Sequence, residues 1–305
     1  MNQLPVLLIR EFQEHRGGLF IVPLVVIGFF LVMLLLSIMT NQVSGQVEIR
    51  FGDDTRIDSE TRGLSGDLDA RINGLANASP EVRQQIYTSV ANRVSSPMLL
   101  VLWIVVFFYL LGTLYDERKD RSILFFKSMP VSDTMTVLSK WLTAAFVAPA
   151  IYLVAIITVQ VVSTAVITVV AILNSVENWA LLWEPVSLLS HWGKLALYFL
   201  FAAVWCLPFF GWMLFVSAFT KSLPFLWAVG LPIAIIVVEW MLVGGSTVRE
   251  WMGQHTIGIA YSDHKALQPS DMLSRLMSVE FVISLGVGLA LLYGAVRMRA
   301  RGDEI

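Results

Sequence analysis

The sequence predicts an all-α polytopic membrane protein with six transmembrane helices. The 305-residue chain is 56% hydrophobic and only 14% charged, whereas soluble domains carry roughly 25% charged residues. The apolar residues are concentrated in runs, most of which reach the ~20 residues that a helix needs to cross a hydrocarbon core. The predicted spans are 19–39, 98–114, 142–173, 195–219, 223–243 and 279–296.

Residues 1–18 are predicted to form an amphipathic interfacial helix on the cytoplasmic leaflet. Its apolar and charged positions segregate at helical spacing. The apolar set is Leu4, Leu7, Leu8 and Phe12, and the charged set on the rest of the surface is Arg10, Glu11, Glu14 and Arg16. Gly17-Gly18 would supply a turn into the first span. That span is longer than a signal-peptide core and lacks a small-x-small site after it, so we expect it to be retained.

The segment 40–97 is predicted to form a small, mainly helical outer cap. Alternation around Val47, Ile49 and Phe51 is a weak strand signal. Ser79-Pro80 has the pattern of an N-cap followed by a first-turn proline, so a helix should begin there and continue into the second span. The segment carries no ligand motif, and a structural or gating role competes with a binding role.

Orientation follows from the distribution of lysine and arginine. The pieces 1–18, 115–141, 220–222 and 297–305 are half as long in total as the pieces 40–97, 174–194 and 244–278, yet they carry more than half of the 21 basic residues. The first set is therefore predicted to be cytoplasmic, with both termini inside. The segment 174–194 reads as an outer interfacial loop, and 244–278 as an outer re-entrant or interfacial segment.

Several chemistries have no motif here. The sequence contains no P-loop and no H-E-x-x-H motif, so we expect neither an ATP site nor catalysis in this chain, and no cofactor or metal. The net charge of −2 argues against a nucleic-acid partner. Cys206 lies in an apolar run and is interpreted as a small core residue. His255, His264 and Asp263 are most simply a chance cluster on the outer surface.

Glu239 is the one carboxylate deep in an apolar run. Such a charge costs about 2.5 kcal/mol or more in the bilayer centre, which favours a protein interior or an aqueous pathway. Its position near the outer end of the fifth span, beside Trp240, equally fits the membrane interface. Both interpretations remain open.

The loop 115–141 is the strongest functional signal. A run of mostly charged residues, Asp116–Arg121, follows the second span directly, and Pro130 should end the short helix that comes next. Ile123, Leu124, Phe125 and Phe126 are costly to leave in water, and therefore favour lipid or the groove of a partner.

This loop resembles that of the permease subunits of type-2 ATP-binding-cassette (ABC) exporters, which reads E-R-x-x-G-[TS]-L, then P-[VL]-S and a lysine before the third span. The matching residues are Glu117-Arg118, Ser122-Ile123, Phe125-Phe126, Pro130-Val131-Ser132 and Lys140. The glycine of the family pattern is Arg121 here, and its leucine is Ile123. The six spans and the N-terminal amphipathic helix are also similar to that family.

The resemblance implies that a cytosolic coupling helix in this loop docks on a separately encoded ABC ATPase, which binds ATP and Mg. The ATPase-coupling residues would be Glu117, Arg118, Arg121, Ile123, Phe125, Phe126 and Pro130. It further implies a second permease copy, as a homodimer or a related heterodimer, and a place in the bacterial inner membrane. The substrate is not implied.

Two other functions compete with this expectation. The chain could be a non-transporting scaffold or signalling subunit that uses the same kind of ATPase, or an ATP-independent channel, carrier or intramembrane enzyme. ATP-driven movement of a solute into or out of reconstituted vesicles would distinguish an exporter from a non-transporting scaffold. Activity of the isolated chain without nucleotide would favour an ATP-independent channel, carrier or enzyme.

Overall fold

A computed structural model of the chain describes residues 3–39, 72–120, 131–183, 185–256 and 268–301. Within these ranges the regular structure is helical and contains no strand. Six segments are long and apolar enough to cross a membrane, which confirms the predicted all-α polytopic class. They are Gly17–Met39, Pro80–Lys119, Asp133–Leu173, Leu188–Trp205, Pro224–Val243 and Val279–Arg301.

The described part of the first half of the chain contains five long α-helices. They are α1 (Gln3–Glu14), α2 (Val22–Met39), α3 (Pro80–Lys119), α4 (Asp133–Leu142) and α5 (Ala148–Leu173). The π-helical turns Gly17–Ile21 and Thr143–Val147 precede α2 and α5. The predicted N-terminal helix is therefore present, and Gly17-Gly18 opens a π-helical turn.

Ser79 and Pro80 begin α3 as predicted. The backbone N–H of Val82 donates to Ser79 Oγ at 3.4 Å, and that of Arg83 donates to the Ser79 carbonyl at 2.9 Å. Pro80 occupies the first helical position, where no donor is needed. The helix then runs for 40 residues through the second span, so the predicted helical continuation from Ser79-Pro80 into that span is confirmed. Residues 72–77 of the predicted cap are also helical, whereas residues 40–71, including the predicted strand, lie outside the described residues.

The described part of the second half contains six α-helices. They are α6 (Pro185–Trp205), α7 (Leu207–Phe219), α8 (Pro224–Val243), α9 (Thr247–Gln254), α10 (Pro269–Leu276) and α11 (Val279–Arg301). The predicted fourth span is divided between α6 and α7. Its helix is interrupted at Cys206, at φ −86° and ψ 16°, because Pro208 has no N–H to continue the hydrogen-bond ladder. Cys206 itself is buried, as its interpretation as a core residue requires.

The chain divides into two compact units. Unit 1 comprises Met1–Pro23, Ser96–Leu153 and Gly193–Ile305, and unit 2 comprises Leu24–Ser95 and Val154–Trp192. Within unit 1, α7 packs closely on α11. A Cβ at Gly211 would lie 2.8 Å from the Gly288 carbonyl oxygen, and a Cβ at Gly288 would lie 2.9 Å from the backbone of Leu207. These glycines permit the close backbone approach that is common between membrane helices.

Unit 2 has a polar core centred on Gln160. Its amide nitrogen donates to the Ala91 carbonyl and to Ser95 Oγ, both at 3.2 Å, and its amide oxygen accepts from the Trp192 indole at 2.6 Å. Ser95 Oγ also lies 3.1 Å from Nε2 of His191. Because these buried groups bind one another, unit 2 meets the requirement that polar groups without water find protein partners.

Candidate functional site

Four helices of unit 1 converge on a buried group of charges. We call this group the charge cluster. It consists of Glu11 on α1, Glu117 on α3, Asp133 and Lys140 on α4, and Arg299 on α11. All of these residues except Asp133, which is half-buried, are nearly inaccessible to solvent.

Lys140 occupies the centre of the charge cluster. Its Nζ lies 2.8 Å from Glu11 Oε1, 2.8 Å from Glu117 Oε1 and 2.8 Å from Thr113 Oγ1. The ammonium group donates hydrogen bonds to Glu11 Oε1 and Thr113 Oγ1, and the Glu117 carboxylate is its second ion-pair partner. The residue is 1% exposed. Such burial is tolerable only because the charge is fully paired.

Glu11 is held on both of its carboxylate oxygens. Oε1 pairs with Lys140, and Oε2 accepts a hydrogen bond from the Tyr109 hydroxyl at 2.9 Å. The amphipathic pattern predicts that Glu11 lies on the exposed, charged face of the N-terminal helix. The structure corrects this, because Glu11 is 0% exposed. A signal was present in the spacing, since Glu11 follows the buried Leu7 by one helical turn and thus shares its face.

Arg299 joins the two ends of the segment that contains the predicted coupling loop. Its Nη1 forms an ion pair with Glu117 Oε2 at the end of α3, and its Nε lies 3.0 Å from Asp133 Oδ1 at the start of α4. Ser132 caps α4 by accepting a hydrogen bond from the Met135 N–H at 3.2 Å. The charge cluster thus ties both flanks of residues 121–130 to α1 and α11.

Arg118 anchors the end of α3 on the end of α7. Its Nη2 donates to the carbonyl oxygens of Ser217 at 2.6 Å and Thr220 at 2.7 Å. These carbonyls belong to the last turn of α7, where helical donors run out and a cation is favourable. The Ser217 hydroxyl in turn accepts from the backbone N–H groups of Leu114 and Tyr115.

The structure thus brings together three residues of the predicted loop motif, Glu117, Arg118 and Lys140, with the first and last in direct contact. The other predicted coupling residues lie outside the described residues: Arg121, Ile123, Phe125, Phe126 and Pro130. Asp133 and Arg299 were missed by the sequence reasoning. No local pattern identifies them, because Arg299 pairs with Glu117 and Asp133, which are both more than 160 positions away in the sequence.

Glu11, Glu14 and His15 present their ligand atoms within 4.8 Å of one another, a separation at which a metal ion could bind. Their existing contacts favour an ion-pair arrangement instead. Glu11 binds Lys140 and Tyr109, and Glu14 pairs with Arg10 at 2.9 Å. Burial lowers the pKa of His15, and the neighbouring Glu11 opposes this shift.

Glu239 has a local structural partner. Its two carboxylate oxygens each lie 3.0 Å from the backbone N–H of Val248, in the first turn of α9. A carboxylate at a helix N-terminus satisfies an otherwise unpaired donor and interacts favourably with the helix dipole. Glu239 therefore holds α9 against the end of α8.

His255 is buried rather than part of a surface cluster, which corrects that interpretation. Its ring stacks on Trp205 at 4.8 Å and lies 4.7 Å from the Trp251 ring. Nδ1 lies 2.7 Å from the Trp251 carbonyl oxygen, so it carries the proton, and Nε2 lies 2.7 Å from Ser284 Oγ. Burial lowers the pKa of His255, although the Trp251 hydrogen bond and Glu280 oppose the shift. His264 and Asp263 lie outside the described residues.

No family model, curated protein or solved structure matches this chain.

Proposed function

We propose that this chain is the permease subunit of an ABC-type exporter, which moves a substrate across the membrane with ATP hydrolysed by a separate cytosolic ATPase. The observation that carries the proposal is the charge cluster. Arg299 and Lys140 bind, between them, both flanks of the predicted coupling loop through ion pairs, of which only the Arg299–Asp133 pair is partly exposed. A loop that receives force from a partner needs such attachment to transmit that force to the spans.

The attachment is stiff for an electrostatic reason. Removing one partner of a buried ion pair costs about 3–5 kcal/mol, because the other charge is left unpaired in a medium of low dielectric constant. Glu117 and Asp133 therefore move with Arg299, and Lys140 moves with Glu11. In this mechanism, a displacement of the loop shifts α1, α3, α4 and α11 together.

The rest of the proposal follows the resemblance of the loop motif. The end of unit 1 that carries the charge cluster would face the cytosol, with both termini, in a bacterial inner membrane. ATP and Mg would bind the partner ATPase. A second permease copy would complete the pathway. In support of a lipid or protein partner, α8 leaves nearly its whole apolar surface uncovered within the chain.

The first test is affinity purification of the tagged chain in mild detergent, followed by mass spectrometry of what accompanies it. We expect a stoichiometric ATPase that contains a P-loop. Phe125→Asp with Pro130→Leu should abolish its recovery, because a charge replaces an apolar docking side chain and the end of the helix is lost. Ser128→Asp is the control, since it adds the same charge to the same loop without removing an apolar group.

The variants must insert and remain monodisperse for the comparison to count. If the Phe125→Asp, Pro130→Leu double variant loses the ATPase and the Ser128→Asp variant keeps it, docking through the loop is supported. A well-folded wild-type chain that brings no ATPase would contradict the proposal and favour a self-sufficient channel or carrier. ATPase binding without ATP-driven solute movement in vesicles would favour a scaffold.

A further inference from the structure

The helix α11 has a buried face and an exposed face. The buried face comprises Ser284, Gly288, Ala295 and Arg299. The exposed face lies on the opposite side of the helix, as 3.6 residues per turn require, and its apolar side chains include Val282, Ile283, Leu289 and Tyr293. In a helix that crosses a membrane, such an apolar face contacts either lipid or another protein.

Arg297 and Arg301 continue the exposed face at the C-terminal end of α11. They follow Tyr293 at intervals of four residues, whereas the buried Arg299 lies between them on the opposite side of the helix. Among the described residues neither exposed arginine has a carboxylate partner, although Arg299 and Lys140 in the same unit both form ion pairs. Like charges one helical turn apart repel each other, so an anion that binds both would be stabilising.

Arg297 is held in place by Tyr293. Its Nε donates a hydrogen bond to the Tyr293 hydroxyl at 2.7 Å, and its guanidinium carbon lies 5.2 Å from the centre of the Tyr293 ring. That distance is within the range of a cation–π contact. No described residue binds the N–H groups on Nη1 and Nη2 of Arg297. One donor from each of these nitrogens makes the planar fork that binds a phosphate through two parallel hydrogen bonds.

The position of Arg297 along α11 fits the boundary between membrane and water. Arg297 follows Val279, the first residue of the helix, at a distance of about 27 Å for a rise of 1.5 Å per residue. The hydrocarbon core of a bilayer is about 30 Å thick. Tyrosine is enriched at this boundary, and the long side chain of arginine can reach from it to the lipid headgroups.

We propose that this end of α11 binds an anionic phospholipid, whose phosphate is held by Arg297 and Arg301 and whose acyl chains lie along the apolar face that ends at Tyr293. Two unpaired positive charges complement a negatively charged headgroup, and the apolar face complements the chains. The helix dipole alone favours a cation at a C-terminus, but it requires neither the tyrosine contact nor the unoccupied fork. This binding does not require the proposed transport function.

Native mass spectrometry of the purified chain in detergent, with equal amounts of dioleoylphosphatidylglycerol and dioleoylphosphatidylcholine, tests the proposal. We expect the wild-type chain to prefer phosphatidylglycerol, and Arg297→Gln should reduce this preference about fivefold, the effect of about one basic residue at an anionic membrane surface. Arg297→Lys should also reduce it, because lysine keeps the charge but lacks the fork. Arg249→Gln is the matched control and should keep the preference, because Arg249 is also exposed and has no partner among the described residues.

Four outcomes would overturn the proposal. An unchanged lipid preference in Arg297→Gln, or an equal fall in Arg249→Gln, would show that the end of α11 does not select the lipid. A full preference in Arg297→Lys would show diffuse attraction by positive charge instead of a phosphate site. Displacement of the lipid by an equal concentration of glycerol phosphate would show that the apolar face contributes nothing. If Arg297→Gln keeps the lipid preference but loses a co-purified protein, the exposed face of α11 binds protein instead.

Discussion

At the scale of single residues, His255 links protonation to packing. The ring stacks on the Trp205 indole and contacts the Trp251 indole at the end of α9, and both of its nitrogens have hydrogen-bond partners. Burial favours the uncharged imidazole, so its pKa in the folded protein lies below the ordinary value of 6.5. The unfolded chain therefore binds more protons than the folded chain as the pH falls through that value.

We predict that the stability of unit 1 falls as the pH is lowered below about 6.5, and that His255→Gln weakens this dependence. His255 contributes stability above its unfolded pKa and loses it during acidification. Thermal unfolding in detergent between about pH 7 and pH 5 measures the effect. His15, whose pKa is also lowered, should leave part of the slope in place.

Ser284→Ala is the control for this prediction. It removes the hydrogen-bond partner of Nε2 but keeps the titrating group, so the Tm should fall while the pH slope remains. A wild-type slope in the His255→Gln variant would contradict the assignment of acid sensitivity to this residue.

At the scale of elements, the contact between α7 and α11 depends on the absence of side chains at two positions. We predict that Gly288→Ala destabilises the protein by about 1–3 kcal/mol, the usual cost of overpacking, because the new Cβ would lie 2.9 Å from the Leu207 backbone. A fall in Tm in detergent measures this cost.

Gly286→Ala is the matched control on the same helix. A Cβ at Gly286 has no neighbouring atom within 4 Å, so the change should be neutral or stabilising by about 0.5–1 kcal/mol through helix propensity. Equal Tm values for the two variants would show that α7 and α11 do not pack as closely as the structure places them.

The sequence was sufficient for features that are encoded locally. Hydropathy predicted six spans, and Ser79-Pro80 predicted where α3 begins. The break at Cys206 could have been anticipated from Pro208, but a hydropathy run does not register a lost hydrogen bond. A periodic pattern finds faces and ends of helices, and it gives much less information about interruptions inside an apolar run.

The charge cluster could be predicted only in part. Glu117 and Lys140 belong to the loop motif, but nothing local pairs Lys140 with Glu11, 129 positions away, or Arg299 with Glu117, 182 positions away. Charged residues on an amphipathic helix are usually solvated, so the sequence pattern predicts that Glu11 lies on the exposed face of α1. The burial of Glu11 depends on Lys140 of α4, which comes close to it only when the chain folds.

At the scale of the whole molecule, a substitution in the charge cluster can distinguish transmission of force to the spans from docking of the proposed ATPase. Glu117→Gln keeps a polar side chain of the same shape, while Lys140 retains Glu11 and Arg299 retains Asp133. The chain should therefore fold and, under the proposed function, still recover a partner ATPase. Because the loop is then attached more weakly, nucleotide-driven activity should fall by about tenfold, which corresponds to a coupling loss of about 1.4 kcal/mol.

The ATPase rate of the purified complex in liposomes, relative to the ATPase alone, measures this coupling without knowledge of the substrate. Glu14→Gln is the control, because its exposed pair with Arg10 should contribute little. Unchanged stimulation in the Glu117→Gln complex would mean that force reaches the spans by another route. Loss of the ATPase from that complex would instead make Glu117 part of the docking surface. Only the combination of normal binding with weakened stimulation assigns the charge cluster to force transmission.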